Sequence, residues 1–258
     1  MTDERRRPRR GGVETGLRTA AVWSRVSDLA TARSREIGRP LRVLDLGGGT
    51  GGLAVPLAEL GHDVRVVDPS ADALASLSRR AAESRVADRI TAVQGDADTL
   101  PDVVAAGEID LVCCHGTLEV VEDPAAVLGR IGEVLAPGGH LSLVTAQRLA
   151  AVLSRALAGR FAEAREALVS ADGRWGPQDP LPRRFDRDHL LRLLGDAGFT
   201  AEVVHGVRLF SDLVPSALVD SETDRVALLE LERASSEHED YGFLGELGSS
   251  VHILARRN

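Results

Sequence analysis

Two periods of apolar spacing trade places along this chain at regular intervals. Short apolar runs of strand length lie at residues 41–46, 63–67, 90–94, 109–114 and 140–145, rich in branched side chains that suit a buried pleated surface. Between them apolar residues recur at helical spacing, over 51–60, 71–85, 100–106 and 124–135. A leading helix is predicted over 17–37, where Leu17, Ala21, Val22, Val26 and Leu29 share one side, and it is expected to cover the ligand end of the sheet. Strand–helix alternation of this kind implies an α/β fold with a parallel, doubly wound sheet and right-handed crossovers.

Beyond residue 146 the rhythm changes. Residues 149–157 and 161–169 are helix-like, and 172–185 form a loop rich in Pro, Gly and charge. Asp186 opens another predicted helix, capped by its own side chain and stopped by Gly198. A strand over 200–210, a helix over 221–236 and a last strand over 251–255 complete the pattern. The expected organisation is a disordered basic tail (1–12) and one domain (13–258). That domain divides into a ligand-binding half (13–146), a helical lid (147–185) and C-terminal strands with an inserted helix (186–258). The lid is expected to select the substrate, because loops above strand ends carry specificity.

Composition narrows the partners. In 258 residues, 43% hydrophobic and 3% aromatic, apolar runs are short and broken by charge, so no membrane span is expected. Gly11-Gly12-Val13-Glu14 follows the basic start where a signal peptide would need an apolar stretch. Cys113 and Cys114 are neighbours in an apolar run, without metal-site spacing or a disulfide framework. A cytoplasmic protein without a metal is expected. The net charge of −8 argues against a broadly basic nucleic-acid surface. Basic residues cluster at 5–10 and at Arg183, Arg184 and Arg187, while 220–240 is mostly acidic. The basic start reads either as a solvated tail or as a phosphate-contacting arm.

The chemistry concentrates in Val43-Leu44-Asp45-Leu46-Gly47-Gly48-Gly49-Thr50-Gly51-Gly52. An apolar strand carries an acid near its end and breaks into glycines, which turn sharply and admit a ligand close to the backbone. The next strand ends in Asp68-Pro69-Ser70, and an acid there suits a ribose diol. Gly47, Gly49 and Gly52 also satisfy dinucleotide spacing, but Asp45 would repel a pyrophosphate. S-adenosylmethionine has no phosphate and carries an ammonium and a sulfonium. The stretch resembles motif I of the class I S-adenosylmethionine-dependent methyltransferases. A nicotinamide or flavin enzyme and a ligand-free glycine turn are the other readings of the same spacing.

The resemblance extends further. Gly95-Asp96-Ala97-Asp98 falls where this superfamily holds the adenine, with an acid taking the exocyclic amine, and Leu135-Ala136-Pro137-Gly138-Gly139 resembles the turn before its fifth strand. The superfamily implies a Rossmann-like sheet of about seven strands with the last antiparallel. His115 to Pro124, Gly206 to Asp212, Leu228 to Glu232, and the ending Val251 to Arg256 are together similar to the tRNA 5-carboxymethoxyuridine methyltransferases. That family methylates the carboxylate of a modified wobble uridine. Gly16-Leu17-Arg18, followed by Trp23, matches its leading helix. The implied cofactor set is Arg18, Gly47, Gly48, Asp68, Ala97, Asp98 and His115, to which the motif reading adds Asp45, Gly49, Gly51, Pro69 and Asp96. Two departures stand out. The family's lysine-rich lid is here a stretch, 172–184, with three arginines and two acids, and its aromatic–Asn pair after strand five is Ala146-Gln147.

Methyl transfer from a sulfonium is an in-line displacement with a neutral leaving group, so holding the nucleophile close in a dry pocket supplies most of the catalysis. An ionised carboxylate acceptor needs no general base, whereas a hydroxyl or amine does, and no catalytic residue is assigned. His115 reads as a cofactor contact, a structural histidine or a base. Glu119 reads as an orienting group or a helix-start acid. His189 and His205 read as structural, Arg208 and Arg256 as acceptor ligands or surface ion pairs. Trp175 reads as a stacking or packing ring, and 228–231 as core or homodimer packing. Three functions are carried forward: methylation of a carboxylate on modified tRNA or a small acid, methylation of an acidic or hydroxyl metabolite, and a catalytically silent cofactor-binding partner.

Overall fold

A computed structural model describes the chain from Arg10 to Asn258. The tail before Arg10, and the side chains of residues 10–20 and of Ser216, Ser236, Glu237 and Glu239, lie outside the described residues. Seven strands form one sheet in the order β3-β2-β1-β4-β5-β7-β6. They are β1 (Arg42–Leu46), β2 (Asp63–Asp68), β3 (Ile90–Gln94), β4 (Ile109–His115), β5 (Leu135–Ala146), β6 (Phe199–Val207) and β7 (Ser250–Arg257). The first five are parallel, and β7 runs antiparallel to both β5 and β6. The expected antiparallel last strand is therefore present, inserted between its neighbours.

Alternate residues of each strand feed two apolar layers. Val43, Leu111, Cys113, Val66 and Val207 pack beneath α1 (Arg10–Ile37), α2 (Ala54–Glu59) and α3 (Ala71–Glu83). Leu44, Leu46, Val112, Cys114 and Ile253 pack against α4 (Leu100–Val103), α5 (Pro124–Val134) and α8 (Arg187–Asp196). The two cysteines thus enter opposite layers, both fully buried and free. The helix α1 begins at Arg10 rather than Leu17, continuing the i, i+4 spacing of Val13, Leu17 and Ala21 through three glycines. It meets the sheet through Val22, Val26 and Ala30, whereas Ala21 is exposed.

The strand β5 pairs from Leu135 onward, earlier than expected, because the Pro137-Gly138-Gly139 turn bulges out between Ile109↔Leu135 and Leu111↔His140. Two helices, α6 (Arg148–Leu157) and α7 (Phe161–Val169), and the loop to Phe185 rise above the end of β5. One cap differs from expectation. Asp186 precedes α8 but makes no side-chain cap hydrogen bond. Its Oδ2 accepts from Arg148 Nε at 3.0 Å instead, and the Arg148 guanidinium also brackets the carbonyls that end α7, including Ser170 and Ala171. A charged donor outcompetes a neutral N–H for the same carboxylate.

The insert α9 (Glu222–Glu237), opened by a Ser221–Asp224 capping box, is followed by a 3-10 segment, Glu239–Leu247. That segment touches β6 backbone to backbone: a Cβ added at Gly206 would lie 2.2 Å from Gly245 O. Backbone cannot step aside as a side-chain tip can, so Gly206→Ala is expected to cost about 1–3 kcal/mol. Gly242 has open space around its Cβ position, and Gly242→Ala serves as the control. Equal urea midpoints for the two variants would contradict this packing.

Candidate active site

The glycine turn between β1 and α2 is shaped by what surrounds it. Gly47 has φ +74° and its N–H donates to Val67 O at 2.8 Å; a Cβ there would meet Thr117 Oγ1 at 2.4 Å. Gly48 would meet Asp45 Oδ2 at 2.5 Å and Gly51, at φ +79°, Leu77 Cδ1 at 2.2 Å. A Cβ at Gly49 (φ +54°) would make only an ordinary contact, 3.9 Å from Asp68 Oδ2, and Gly52 faces open space. Three glycines therefore admit protein side chains, and the others leave the backbone bare toward a ligand.

Two acids serve this turn. Asp68 Oδ2 accepts from Gly49 N and Oδ1 from Ser70 N, both at 2.8 Å, and the adjoining Pro69 carbonyl accepts from Gln94 Nε2. Asp45 is 3% exposed, and its Oδ2 is buried without a hydrogen-bond partner. Burial pushes its carboxyl up to about 7, the charge of Asp68 adds to this, and an N–H from Ala54 opposes it. Between about pH 4 and 7 the folded protein thus holds a proton that the unfolded chain has lost, and this group's contribution to stability falls as pH rises through that window. An uncompensated buried acid beside a bare backbone fits a cationic ligand such as an ammonium.

Past β3, Asp96 is exposed and committed to its own turn. Its Oδ1 accepts from Asp98 N and Thr99 N, which holds its carboxyl below the usual range. The Asp-x-x-Thr spelling before the short helix carried that turn signal. Asp98 pairs with Arg130 at 2.6 Å, and Ala97 is buried beneath. Asp96 and Asp98 each keep one carboxylate oxygen, Oδ2, outside these contacts. Arg18 belongs to α1, but its side chain lies outside the described residues.

His115 ends β4, half-buried, with Nε2 2.8 Å from Ser142 Oγ; burial takes its pKa down to about 4, so it is neutral at pH 7. Glu119 is not a helix-start acid, since Asp123 caps α5. It is buried, accepts from Ala146 N at 2.7 Å, and has an unpartnered Oε2; burial raises its pKa, with the Ala146 N–H and Arg184 opposing. It ties the β4 exit to the end of β5.

Across the same sheet edge lies a cavity of about 220 Å³ whose lining includes Ala146, Trp175, Arg155, Arg184, Arg208 and Asp212. Trp175 is buried, with the Arg155 guanidinium 4.0 Å over its ring. Arg184 is held by buried Asp179 at 2.5 and 2.9 Å. Arg208 follows β6 at φ 58°, an uncommon backbone for a residue with a side chain. Its guanidinium meets Ser249 Oγ at 2.8 Å and Asp212 at 3.3 Å, and the turn that follows is held from outside. Glu232 on α9 accepts from the backbone N–H groups of Leu209, Phe210 and Ser211, each at 2.8 Å. Arg256, the other arginine considered for the acceptor, pairs with Glu202 at 3.0 Å and sits opposite His140, at the far end of β5. His189 is exposed on α8; on α9, Leu228 and Leu229 are half-buried and Leu231 is exposed.

A parallel sheet ending in an acidic glycine turn, with a separate cationic cavity beside it, defines a class I S-adenosylmethionine-dependent methyltransferase. Residues 18–204 match the family model for the methyltransferase domain. The tRNA 5-carboxymethoxyuridine methyltransferase of Escherichia coli (strain K12) is 32% identical over 249 residues, 96% of this chain and 90% of that protein. A ubiquinone biosynthesis O-methyltransferase of Azorhizobium caulinodans is 36% identical over 50% of the chain and 49% of its own length. Among solved structures, an S-adenosylmethionine-dependent methyltransferase from Mesorhizobium loti superposes with TM-score 0.58 at 22% identity, covering 84% of this chain and 91% of that one. Magnesium protoporphyrin IX methyltransferase from Synechocystis, with bound SAH, gives TM-score 0.58 at 17% identity over 94% and 86%. The chain belongs to the methyltransferase family, and within it to the family of the tRNA 5-carboxymethoxyuridine methyltransferases. No described helix is long and apolar enough to cross a membrane.

A cationic ligand should pull the Asp45 proton off. Affinity for S-adenosylhomocysteine, whose ammonium is retained, is expected to rise about fivefold from pH 6 to 7, about twofold more by pH 8, and level off above. In Asp45→Asn the curve should be flat. Calorimetric titration in two buffers reads the released proton directly, and a pH-independent affinity in the wild-type protein would remove Asp45 from this role.

Proposed function

We propose that the methyl acceptor is a carboxylate, carried by a flat ring, and that the ring is a modified wobble uridine of tRNA. The observation that carries this reading is the cavity lining, with three arginines against one acid and an indole among them. The arginines suit a carboxylate through paired N–H groups, and Trp175 suits a base that has left its stack. Membership of the family at 32% identity over 96% of the chain supports the tRNA. We assign 147–185 as the lid over the acceptor, and a cytoplasmic location goes with a tRNA substrate.

On this reading the cofactor lies over the glycine turn. Gly47, Gly48, Gly49 and Gly51 would shape its bed, Asp45 would meet its positive end, Asp68 and Pro69 would hold its ribose, Ala97 and Asp98 its adenine, and His115 would contact it from the end of β4; Arg18 is kept in the set by the family resemblance alone. Bound S-adenosylmethionine supplies a methyl group on a sulfonium. The acceptor carboxylate oxygen forms the new bond to that carbon while the carbon–sulfur bond breaks, its electron pair staying on sulfur. The products are a methyl ester and S-adenosylhomocysteine. No proton moves, so no base is needed, and the chain's work is orientation and exclusion of water. Arg208 and Arg155 hold the anion, Trp175 flanks the ring, and Glu232 keeps Arg208 in place.

The net charge of −8 favours a second reading, a small free acid as acceptor, because phosphate tracking uses many cations. Methyl transfer from labelled S-adenosylmethionine to bulk tRNA separates the two. Label that enters RNA and leaves in mild alkali identifies a methyl ester on a nucleoside. Absence of label in tRNA, with S-adenosylhomocysteine still bound, moves the acceptor to the small acids. Arg208→Ala is expected to raise KM for the acceptor by about 10- to 100-fold, with affinity for S-adenosylhomocysteine unchanged.

A further inference from the structure

A row of polar side chains crosses the sheet beneath α1. His115 Nε2 lies 2.8 Å from Ser142 Oγ, Ser142 Oγ 2.9 Å from His252 Nε2, and His252 Nδ1 3.4 Å from His205 Nε2. The row passes from β4 through β5 and β7 to β6. Ser142 and His252 are 0% exposed and His205 8%. Burial keeps the imidazoles neutral near pH 7, lowering His115 and His205 to about 4 and holding His252 well below its usual value.

A neutral imidazole has one N–H and one lone pair, and a hydroxyl has one O–H to give. Ser142 Oγ could also accept from both imidazoles, but its own O–H, which meets no other acceptor among the described hydrogen bonds, would then be buried unpaired. With that proton used inside the row, the row points in one of two directions. If His115 donates from Nε2, the last proton lies on Nδ1 of His205. That atom is buried without a partner, and a buried N–H with no acceptor is the rarer and costlier kind of orphan. In the other direction His205 donates to His252, His252 to Ser142, and Ser142 to His115 Nε2. The row then ends in a lone pair on His205 Nδ1. Arg25 of α1 is the cation that acts on both His205 and His252, and a lone pair near a cation is the favoured arrangement.

We propose that Ser142, His252 and His205 are positioning residues that hold His115 as its Nδ1–H tautomer, so that β4 ends in a neutral hydrogen-bond donor for a carboxylate. This rests on the methyl-transfer reading of the site only for the identity of that carboxylate, which belongs either to the acceptor or to the methionine end of the cofactor. The same assignment takes His115 out of consideration as a general base, because its remaining basic nitrogen is turned into the sheet.

Long-range proton–nitrogen correlation spectra of the imidazoles read the tautomer in the ligand-free protein, with His115 assigned by the signals missing from His115→Gln. The expected result is Nδ1–H at His115 from pH 6 to 8; an Nε2–H tautomer overturns the proposal. Because no acceptor is present, this outcome is independent of whether tRNA is the substrate. In Ser142→Ala the Nδ1–H population should give way to a mixture, and unchanged tautomer there also overturns it. The carboxylate's source follows from two additions. A shift of the Nδ1–H signal on adding S-adenosylhomocysteine assigns the cofactor, and a shift only on further adding 5-carboxymethoxyuridine assigns the acceptor. No shift with either refutes the donor role. The matching affinity is expected to fall about fivefold in Ser142→Ala.

Discussion

Two carboxylates ending neighbouring parallel strands, both turned toward one loop, set the terms for the rest of this molecule. Asp68 fixes the loop by taking the Gly49 N–H, and Asp45 lies under Gly48 so closely that a methyl group there would sit 2.5 Å from its oxygen. Neither acid is neutralised by a described cation, and burial together with Asp68 leaves Asp45 near half-protonated at neutral pH. Such a site repels a pyrophosphate and rewards a positive ligand. The choice between a dinucleotide and a sulfonium cofactor, which glycine spacing leaves open, is thus made by charge.

The other half of the sheet edge presents guanidinium groups, each backed by an acid. Arginines 155, 184 and 208 line the second cavity, each held by a neighbouring acid: Glu163, Asp179 and Asp212. Cation side and anion side are separated by the ends of β4 and β5. On the proposed reaction, a sulfonium and a carboxylate become a thioether and an ester, so two charges vanish as the bond forms. A dry site speeds such a step, because water stabilises the charged reactants more than the dispersed transition state. The lid helices and the buried loop around Trp175 fit that requirement better than an open cleft would.

Much of this was legible in the sequence because it is local. The first five strands, their helices and the glycine turn lie in periodic or turn-forming stretches, and nearly all fall within a few residues of the expected bounds. What escaped depends on register. Ser142, His252 and His205 meet because β7 is inserted between β5 and β6, joining residues 110 and 47 positions apart. Glu232 reaches the turn after β6 from a helix inserted later in the chain; the family resemblance marked both stretches, but nothing local showed that they meet. Asp186 shows the reverse error. It was read from its local motif as a cap, and its carboxylate is committed to Arg148 instead.

The Ala146-Gln147 departure gains a physical meaning in this setting. Gln147 Nε2 donates to the carbonyls of Gly245 and Gly248 at 2.8 Å and of Ser250 at 3.2 Å, pinning the chain that enters β7 against the end of β5. Ala146, with Ala150 and Ala151 on the next helix, leaves space where an aromatic ring would otherwise stand. Trp175 enters the same cavity from the lid loop, its backbone N–H held by Asp179 at 3.0 Å. That carboxylate also grips Arg184, so the loop that delivers the ring and the cation beside it are fixed by one buried acid. The flat surface that lines this cavity thus comes from the loop and not from the sheet. On the proposed reading the acceptor ring rests against Trp175, so its recognition depends on the single buried acid that holds both Trp175 and Arg184 in place.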